Sequence, residues 1–273
     1  MIDIKKFNKT LKRVVKPARY IGMEVNSIVK DLNEVDIKFA FAFPDIYEVG
    51  MSHLGLHILY NLLNEEEYIA CERVFAPWVD MEEEMRKEGI PLFSLENKEA
   101  IKNFDFVGFT LQYEMSYTNI INMLDLAGIP ILSEDRGEED PFVIAGGPCV
   151  YNPEPIADIV DFFVIGEGEE VTLEVLEKYR EFKKSSDTKE DFLKEISKIQ
   201  GIYVPKFYDI HYNEDNTIKE MVPNIEGVPK TIQKRIIKDL DKVYFPKKLI
   251  IPYIETVHDR IPLEIFRGCS RGC

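Results

Sequence analysis

The chain has 273 residues, 45% of them hydrophobic and 30% charged, and its formal net charge is −15. This composition is typical of a folded protein, and the length allows one large domain or two smaller ones. The negative charge disfavours a nucleic-acid clamp, which needs an excess of Lys and Arg. No stretch reaches the roughly 18 apolar residues of a membrane span, and no signal peptide is evident, so we expect a cytoplasmic protein.

The first 29 residues predict a basic amphipathic helix. Its cations are Lys5, Lys6, Lys9, Lys12, Arg13, Lys16 and Arg19. Its apolar residues at helical spacing are Phe7, Leu11, Val14 and Val15. We predict a helix that ends at Pro17, in preference to an arm that contacts RNA.

Between residues 30 and 184, short apolar runs alternate with helical ones. Strands are predicted over 36–43, 69–75, 104–111, 141–146 and 160–165, and helices over 52–64, 80–88, 116–127 and 168–183. Several strands are apolar on both faces, which is typical of a parallel sheet covered by helices. The alternation predicts an α/β domain with a doubly wound parallel sheet, flavodoxin-like or Rossmann-like, over residues 30–184.

The helix predicted over 52–64 has two distinct faces. Its apolar residues are Leu54, Ile58, Leu59, Leu62 and Leu63, and its polar face carries His53, His57, Tyr60, Asn61 and Asn64. We expect Ser52 to cap the helix and the polar face to meet solvent. His53 and His57 have a spacing that can hold a metal, but no third ligand is evident nearby, which favours surface histidines.

The composition changes after residue 182. The polar stretch over 183–191 predicts a domain boundary. Residues 185–245 are expected to form a linker with a short helix and a β-hairpin, whose two strands lie within 201–223 and turn at Asn213–Asn216. In the remaining segment, 246–273, the sequence "RIPLEIF" (260–266) predicts a last strand directly before two cysteines.

Ligands of open α/β sheets bind beyond the carboxyl ends of the strands. The loops at those ends supply the candidate cofactor-binding residues, which are Gly50, Met51, Ser52, His53, Leu54, Gly55, Thr110, Leu111, Gln112, Tyr113, Gly146, Gly147, Pro148, Gly166, Glu167 and Gly168. Gly146 and Gly147 would let the backbone approach a ligand closely, because glycine has no Cβ.

The loop "GEGEE" (166–170) is a partial match to a dinucleotide-binding motif. Val171 occupies the place of the third glycine, and the glutamates would repel a pyrophosphate at the start of the following helix. We therefore reject a nicotinamide site here. A ligand rich in hydrogen-bond donors, such as amides or ribose hydroxyls, suits the acidic loop better.

The four cysteines fall into two groups. Cys71 and Cys149 stand alone in strand-like surroundings, where buried reduced thiols are usual, so no disulfide framework is implied. Cys269 and Cys273 lie four positions apart on a Gly-rich loop. Redox pairs favour Cys-x-x-Cys and zinc sites generally take four ligands, whereas thiolates on such a loop suit an iron–sulfur cluster.

The cysteine loop and the segments before it resemble a known family. The stretch "FRGCSRGC" is similar to the start of the radical S-adenosylmethionine motif Cys-x3-Cys-x2-Cys, whose third cysteine would fall three residues past Cys273. The order of segments along the chain resembles that of B12-binding radical S-adenosylmethionine proteins, in particular an uncharacterised bacterial branch with an N-terminal cobalamin-binding domain. The segments that precede the cysteine loop are "SHLGLHILYNLL", "GFTLQYEMSYTNIINMLDLAGIP" and "IAGGPCVYNPEPIADIVDFFVIGEGEE". The chain would then be an N-terminal fragment that ends inside the cysteine motif, with 246–273 starting the truncated barrel domain.

The resemblance implies three cofactors for the full-length protein. Cys269 and Cys273 would be ligands of a [4Fe–4S] cluster, S-adenosylmethionine would bind the fourth iron, and the α/β domain would hold cobalamin. The motif Asp-x-His-x-x-Gly of histidine-ligated carriers is absent, since Met51 precedes His53 by two positions and Leu56 follows it by three. We therefore expect base-off cobalamin with no histidine on cobalt.

The function implied for the parent is radical catalysis. A flavodoxin or ferredoxin would donate an electron, and methyl transfer to an unknown substrate is the commonest expectation. An RNA substrate reached through the basic N-terminal helix stays open, and the fragment alone is expected to be inactive. The alternative is a non-catalytic corrinoid or small-molecule binding module. A methylthiotransferase is set aside because it would need three further cysteines in this region, where only Cys71 and Cys149 occur.

Overall fold

The computed structural model describes residues 1–258 and 260–271. Its helices are α1 (Ile4–Thr10), α2 (Tyr47–Gly50), α3 (Leu54–Glu65), α4 (Val79–Glu88), α5 (Tyr117–Ala127), α6 (Gly168–Phe182) and α7 (Lys189–Ile196). Its strands are β1 (Ile37–Phe43), β2 (Ile69–Phe75), β3 (Phe106–Thr110), β4 (Phe142–Gly146), β5 (Phe162–Val164), β6 (Ile202–Tyr203), β7 (Tyr208–Tyr212) and β8 (Ile218–Pro223). Short 3₁₀ turns lie at Pro17–Arg19, Ile101–Asn103, Glu114–Ser116, Ser133–Asp135, Pro148–Tyr151, Glu154–Ile156, Pro205–Phe207 and Leu240–Lys242.

A six-stranded sheet in the order β2-β1-β3-β4-β5-β6 forms the centre of the fold. The strands β1 to β5 pair in parallel, and β6 adds an antiparallel edge. The order of the first five is that of flavodoxin-like sheets. The predicted α/β fold with a mostly parallel sheet is therefore confirmed.

The helices cover both faces of this sheet. Helices α3 and α6 contact each other on one face. Helices α4 and α5 are linked by an ion pair between Arg86 and Asp125, at 2.8 Å, and right-handed crossovers place them on the opposite face. Helix α7, predicted within a linker, packs into the core, where the ring centroid of Phe192 lies 5.1 Å from that of Phe142.

The region predicted as one hairpin divides into two parts. Its first residues, β6, extend the central sheet, whereas β7 and β8 form a separate two-stranded hairpin. The predicted turn is present, since the backbone N–H of Asn213 donates to Thr217 O at 2.8 Å. The proposed boundaries at 30–184, 185–245 and 246–273 stay predictions.

The N-terminal helix is shorter than predicted. Helix α1 ends well before Pro17 because the chain then turns to place its cations on acidic side chains of the α/β domain. Arg13 pairs with Glu84 of α4 at 2.5 Å, and Arg19 pairs with Glu48 of α2 at 2.8 Å. Part of the basic segment is thus neutralised within the molecule, which weakens the case for an RNA-contacting arm.

The polar face of α3 is buried, contrary to the expectation that it meets solvent. Tyr60 is 0% exposed and His57 5% exposed. The hydroxyl of Tyr60 accepts a hydrogen bond from Ile28 N at 2.8 Å. The helix cap also differs, because His53 Nδ1, rather than Ser52, accepts from Leu56 N at 3.2 Å. Polar side chains remain buried here because they bind backbone groups of neighbouring segments.

The outer backbone groups of the edge strand β2 are bound by side chains and a neighbouring segment. The side-chain amide of Asn64 donates to Cys71 O at 2.9 Å and accepts from Cys71 N at 3.1 Å. The N–H of Arg73 donates to Glu96 Oε2 at 2.8 Å, and Arg73 O accepts from Leu95 N at 2.8 Å. Helix α3 and the segment around Glu96 therefore close this edge of the sheet.

The prediction of a strand over 260–266 is wrong. Residues 261–267 form neither helix nor strand, and the side chains of Ile261, Leu263, Ile265 and Phe266 are exposed. A strand needs a neighbour for its backbone hydrogen bonds, and the described part of the chain places none beside this segment.

Among residues 1–258 and 260–271, none of the helices combines the length and apolar character that crossing a membrane requires.

Candidate functional site

A pocket of about 590 Å³ opens at the carboxyl edge of the sheet, between the strands and helices α3 and α6. Side chains alternate along a strand, so Phe39 and Phe41 of β1 point to the same face of the sheet. Leu59 and Leu63 of α3 line the opposite side. The apolar face of α3 therefore borders this cavity, while its polar residues after His53 pack against protein.

The structure brings most of the predicted cofactor-binding residues to this pocket. Those that line it are His53, Leu54, Gly55, Thr110, Gln112, Gly146, Gly147, Pro148, Gly166, Glu167 and Gly168. They come from four loops that are far apart in sequence. The loops at the carboxyl ends of the parallel strands thus converge on one cavity, and the assignment of these residues to a cofactor stays a prediction.

The other predicted residues lie outside the pocket lining. Gly50 packs against the ring of Phe75, and Met51 and Leu111 are buried in the core. Ser52 Oγ accepts a hydrogen bond from His258 N at 3.1 Å. Tyr113 is 45% exposed, and its hydroxyl donates to Asp45 Oδ2 at 3.3 Å. Sequence position near a strand end did not reveal which way each of these side chains points.

Two of the loop glycines are required by the backbone rather than by a ligand. Gly147 has φ +102, and a Cβ there would lie 2.7 Å from Leu111 O. Gly166 has φ +108, and its Cβ would overlap the carbonyl oxygen of Arg235. Gly146 differs, because a Cβ there would meet nothing closer than Val164 at 3.9 Å. Of these three glycines, only Gly146 leaves open space at the pocket.

Two arginines bind the glutamates of the acidic loop and the first turns of α6. Arg235 pairs with Glu170 at 2.7 Å and with Glu174 at 2.5 Å. Arg267 pairs with Glu169 at 2.5 Å. The expectation that these carboxylates would bind a donor-rich ligand is therefore not supported by their contacts, since arginine guanidinium groups already bind them.

His53 is held in one orientation at the pocket wall. Its Nδ1 accepts the hydrogen bond that caps α3, so in the neutral ring the proton is assigned to Nε2. Burial lowers the pKa of His53 below its ordinary value despite a side-chain hydrogen bond with Gln112. The ring therefore presents an N–H donor at neutral pH rather than a free nitrogen lone pair.

The two histidines of α3 have different surroundings. His57 Nε2 lies 2.9 Å from Met51 O, on the buried side of the helix, and only His53 lines the pocket. Among the described residues, no group of three His, Cys, Asp or Glu side chains is arranged to hold a metal ion.

Burial of His57 predicts a pH-dependent stability. Burial, aided by the charge of Arg73, lowers the pKa of His57, so the unfolded chain binds its proton more readily than the folded one. Stability should therefore fall as the pH drops below about 6.5, by about 1.4 kcal/mol for each unit of pKa depression. Replacing His57 by Gln, which keeps a donor for Met51 O, should flatten the profile measured by urea unfolding between pH 7.5 and 5.

The matched control is His211→Gln, on the exposed β7–β8 hairpin. This change should leave the pH profile as it is. An unaltered profile in the His57→Gln variant would contradict the assignment.

The cysteines differ in their surroundings. Cys71 is fully buried, and burial raises the pKa of its thiol. Cys149 is half-buried, and burial raises its pKa as well. Cys269 is exposed, and its Sγ accepts from Arg271 N at 3.4 Å. Cys273 lies outside the described residues.

Several pocket residues were missed by the sequence analysis. They are Phe39, Phe41, Leu59, Tyr151, Thr172, Lys234, Arg235 and Arg267. The phenylalanines of "IKFAFAF" lie within a predicted strand, not in one of the four candidate loops, and Lys234, Arg235 and Arg267 lie more than fifty residues beyond the last of those loops. The signal for the arginines was the excess of glutamates in "GEGEE", because carboxylates that become buried need cationic partners.

Comparison with known proteins identifies the family. Residues 55–205 match the family described as radical SAM proteins, N-terminal. The chain belongs to this family. An uncharacterized protein of Methanocaldococcus jannaschii is 28% identical over 239 residues, which are 86% of this chain and 39% of that protein. The chain thus spans about two-fifths of the length of this relative. No solved structure matches the chain.

Proposed function

We propose that the pocket binds cobalamin and that the chain is the cofactor-binding N-terminal part of a radical S-adenosylmethionine enzyme. The observation that carries this proposal is the preformed, largely apolar cavity at the carboxyl edge of a flavodoxin-like sheet, with Gly268 of the cysteine loop in its lining. Cofactor sites favour such positions in α/β folds. Membership of the radical SAM family supports the enzymatic part of the proposal.

The lining of the pocket suits the chemistry of a base-off cobalamin. The displaced base is a flat aromatic group on a flexible chain, which suits an interior bounded by Phe39, Phe41 and Leu59. The corrin ring is edged with amides, which suit polar lining residues such as Thr110 and Gln112. A cavity of about 590 Å³ is too small for the whole cofactor, so the ring would lie over the rim.

The state of His53 supports binding without a histidine on cobalt. Its Nδ1 is occupied by the helix cap and its Nε2 carries the proton, so neither nitrogen offers a lone pair while the cap is intact. His57 is turned toward Met51 O on the buried side of α3.

The residues of this chain would bind and orient the cofactors of the whole enzyme. When bound, the cluster, S-adenosylmethionine and cobalamin supply the one-electron and methyl-transfer chemistry. Cys269 and Cys273 would contribute thiolates, and the apolar pocket would exclude water from the base. The substrate and the electron donor, a flavodoxin or ferredoxin, belong to the proposal for the full-length protein.

Retention of hydroxocobalamin tests this function. The chain is incubated anaerobically with the cofactor, passed through gel filtration and examined by absorbance. We expect stoichiometric retention with a base-off spectrum, and His53→Ala should leave that spectrum unchanged. Separation of protein from pigment would contradict the proposal, and a spectral change in His53→Ala that indicates lost nitrogen ligation would contradict the predicted coordination.

A non-catalytic small-molecule binding module is the second candidate. It is favoured by the apolar character of the pocket, which does not by itself require a radical reaction. The residue three positions after Cys273 discriminates between the two, since a cysteine there completes the cluster motif and any other residue removes it.

A further inference from the structure

The C-terminal segment crosses the carboxyl edge of the sheet as an extended strap, defined here as the described residues of 249–267. Near its start, Ile251 N donates to Val25 O at 3.0 Å. Further along, His258 N donates to Ser52 Oγ at 3.1 Å, at the loop between α2 and α3. The strap therefore follows the row of loops that surrounds the pocket.

Arg267 fastens the far end of the strap to α6. Its guanidinium lies 2.5 Å from Glu169 and 3.4 Å from Glu167, and within the strap it lies 2.8 Å from Glu264. The arginine side chain is only 22% exposed and that of Glu169 10% exposed. A partly buried arginine shared by several carboxylates holds its geometry better than an isolated surface pair.

Arg267 lies close enough to Cys269 in the sequence to restrict the position of the cysteine. Only Gly268, which lines the pocket, separates Arg267 from Cys269. Two residues span at most about 7 Å, so fixing Arg267 confines the cysteine to the rim of the cavity. Without the anchor, the exposed apolar residues before it provide little to hold the loop, because Ile265 and Phe266 are 82% and 76% exposed.

We propose that Arg267 is a positioning residue whose ion pairs with Glu167 and Glu169 hold Cys269 at the mouth of the pocket. The acidic loop "GEGEE" thus acts as a socket for the cysteine loop rather than as a contact for the cofactor. The role of Cys269 as a cluster ligand rests on the proposed function, whereas the placement of the loop by Arg267 does not.

A nitroxide spin label on Cys269 tests the placement without any cofactor. In a background with Cys149→Ser and Cys273→Ser, the remaining other thiol, Cys71, is fully buried, so the reagent labels Cys269. We expect a motionally restricted electron paramagnetic resonance spectrum. Arg267→Gln should shorten the rotational correlation time of the label several-fold, and Arg267→Lys should have a smaller effect.

Two further variants separate the anchor from general effects. Arg271→Gln removes the same charge from the same loop, and Arg271 makes no ion pair within the described residues, so the spectrum should stay restricted. The double variant Glu167→Gln/Glu169→Gln should reproduce the mobile spectrum while leaving Arg267 in place. An unchanged thermal midpoint verifies that each variant is folded.

The outcomes distinguish this inference from the proposed function. A label that is mobile in the starting background, or restricted in both Arg267→Gln and the double variant, overturns the positioning role. Hydroxocobalamin retention is measured separately on unlabelled protein. Retention combined with a mobile label overturns only the positioning role, and a restricted label combined with no retention overturns only the cobalamin site.

Discussion

Replacing Arg73 by Met should lower the free energy of unfolding by about 3–5 kcal/mol. The arginine side chain is 0% exposed and lies 2.7 Å from both Glu24 and Glu96, which are themselves buried. Burial alone would raise the pKa of Glu24, but the hydrogen bonds and charge of Arg73 lower it. Removing the arginine leaves two buried carboxylates without the cation that is hydrogen-bonded to both.

Urea unfolding followed by circular dichroism measures this loss. Arg86→Met is the matched control, because Arg86 is 45% exposed at the side chain and pairs with Asp125 on the surface, where such pairs contribute at most about 1 kcal/mol. The variant Glu24→Gln/Arg73→Met/Glu96→Gln should regain part of the stability. Equal losses in the Arg73 and Arg86 variants would contradict the expected cost of uncompensated charge.

Replacing Gly146 by Leu should weaken retention of hydroxocobalamin by about tenfold to a hundredfold, which corresponds to roughly 1–3 kcal/mol of steric conflict. Gly146 and Ile144 lie two residues apart on β4, so a side chain at 146 would point to the face of the sheet that lines the pocket. A Cβ there has 3.9 Å to its nearest neighbour, so the new side chain can leave the backbone without a clash and extend toward the cavity.

Gly137→Leu is the control for this experiment. Gly137 lies on the surface away from the pocket, and its Cβ would meet only Asp140 Oδ2 at 3.9 Å. Retention by this variant should equal that of the unaltered chain. If Gly146→Leu retains the cofactor equally well, cobalamin does not enter the cavity between the sheet and α3.

Several strands of the central sheet were predictable because they are apolar on both faces. Parallel strands such as β3, "FVGFT", are buried by helices above and below, and this gives an uninterrupted apolar run that the sequence displays directly. The rule for carboxyl ends then located the candidate site on four loops. Local sequence patterns were sufficient to predict a strand wherever its burial depended only on the strand itself and the helices packed on it.

The orientation of α3 could not be predicted from its own sequence. Its apolar face borders an open cavity, while Asn64 and Tyr60 on the polar face bind backbone groups of β2 and the segment at Ile28. Those partners become known only in the folded structure. A hydrophobic pattern indicates which face of a helix avoids water, but that face can border a ligand pocket instead of the protein core.

The contacts of the acidic loop were hidden for the same reason. Arg235 and Arg267 reach the glutamates of α6 from segments about 65 and 98 residues away in the chain. The failed strand at 260–266 shows the converse limit, since its alternating pattern, "RIPLEIF", lacks a neighbour with which to pair in the described part of the chain. Period-two alternation predicts a strand only where a second strand is present.

The closed outer edge of β2 has a consequence for the behaviour of the protein in concentrated solution. An edge strand with free N–H and C=O groups can recruit a strand from another molecule and start β-aggregation. Here Asn64, Glu96 and Leu95 already bind those groups at Cys71 and Arg73. The opposite edge is the two-residue strand β6, which is too short to template a further strand. The sheet is thereby protected from growing between molecules at both ends.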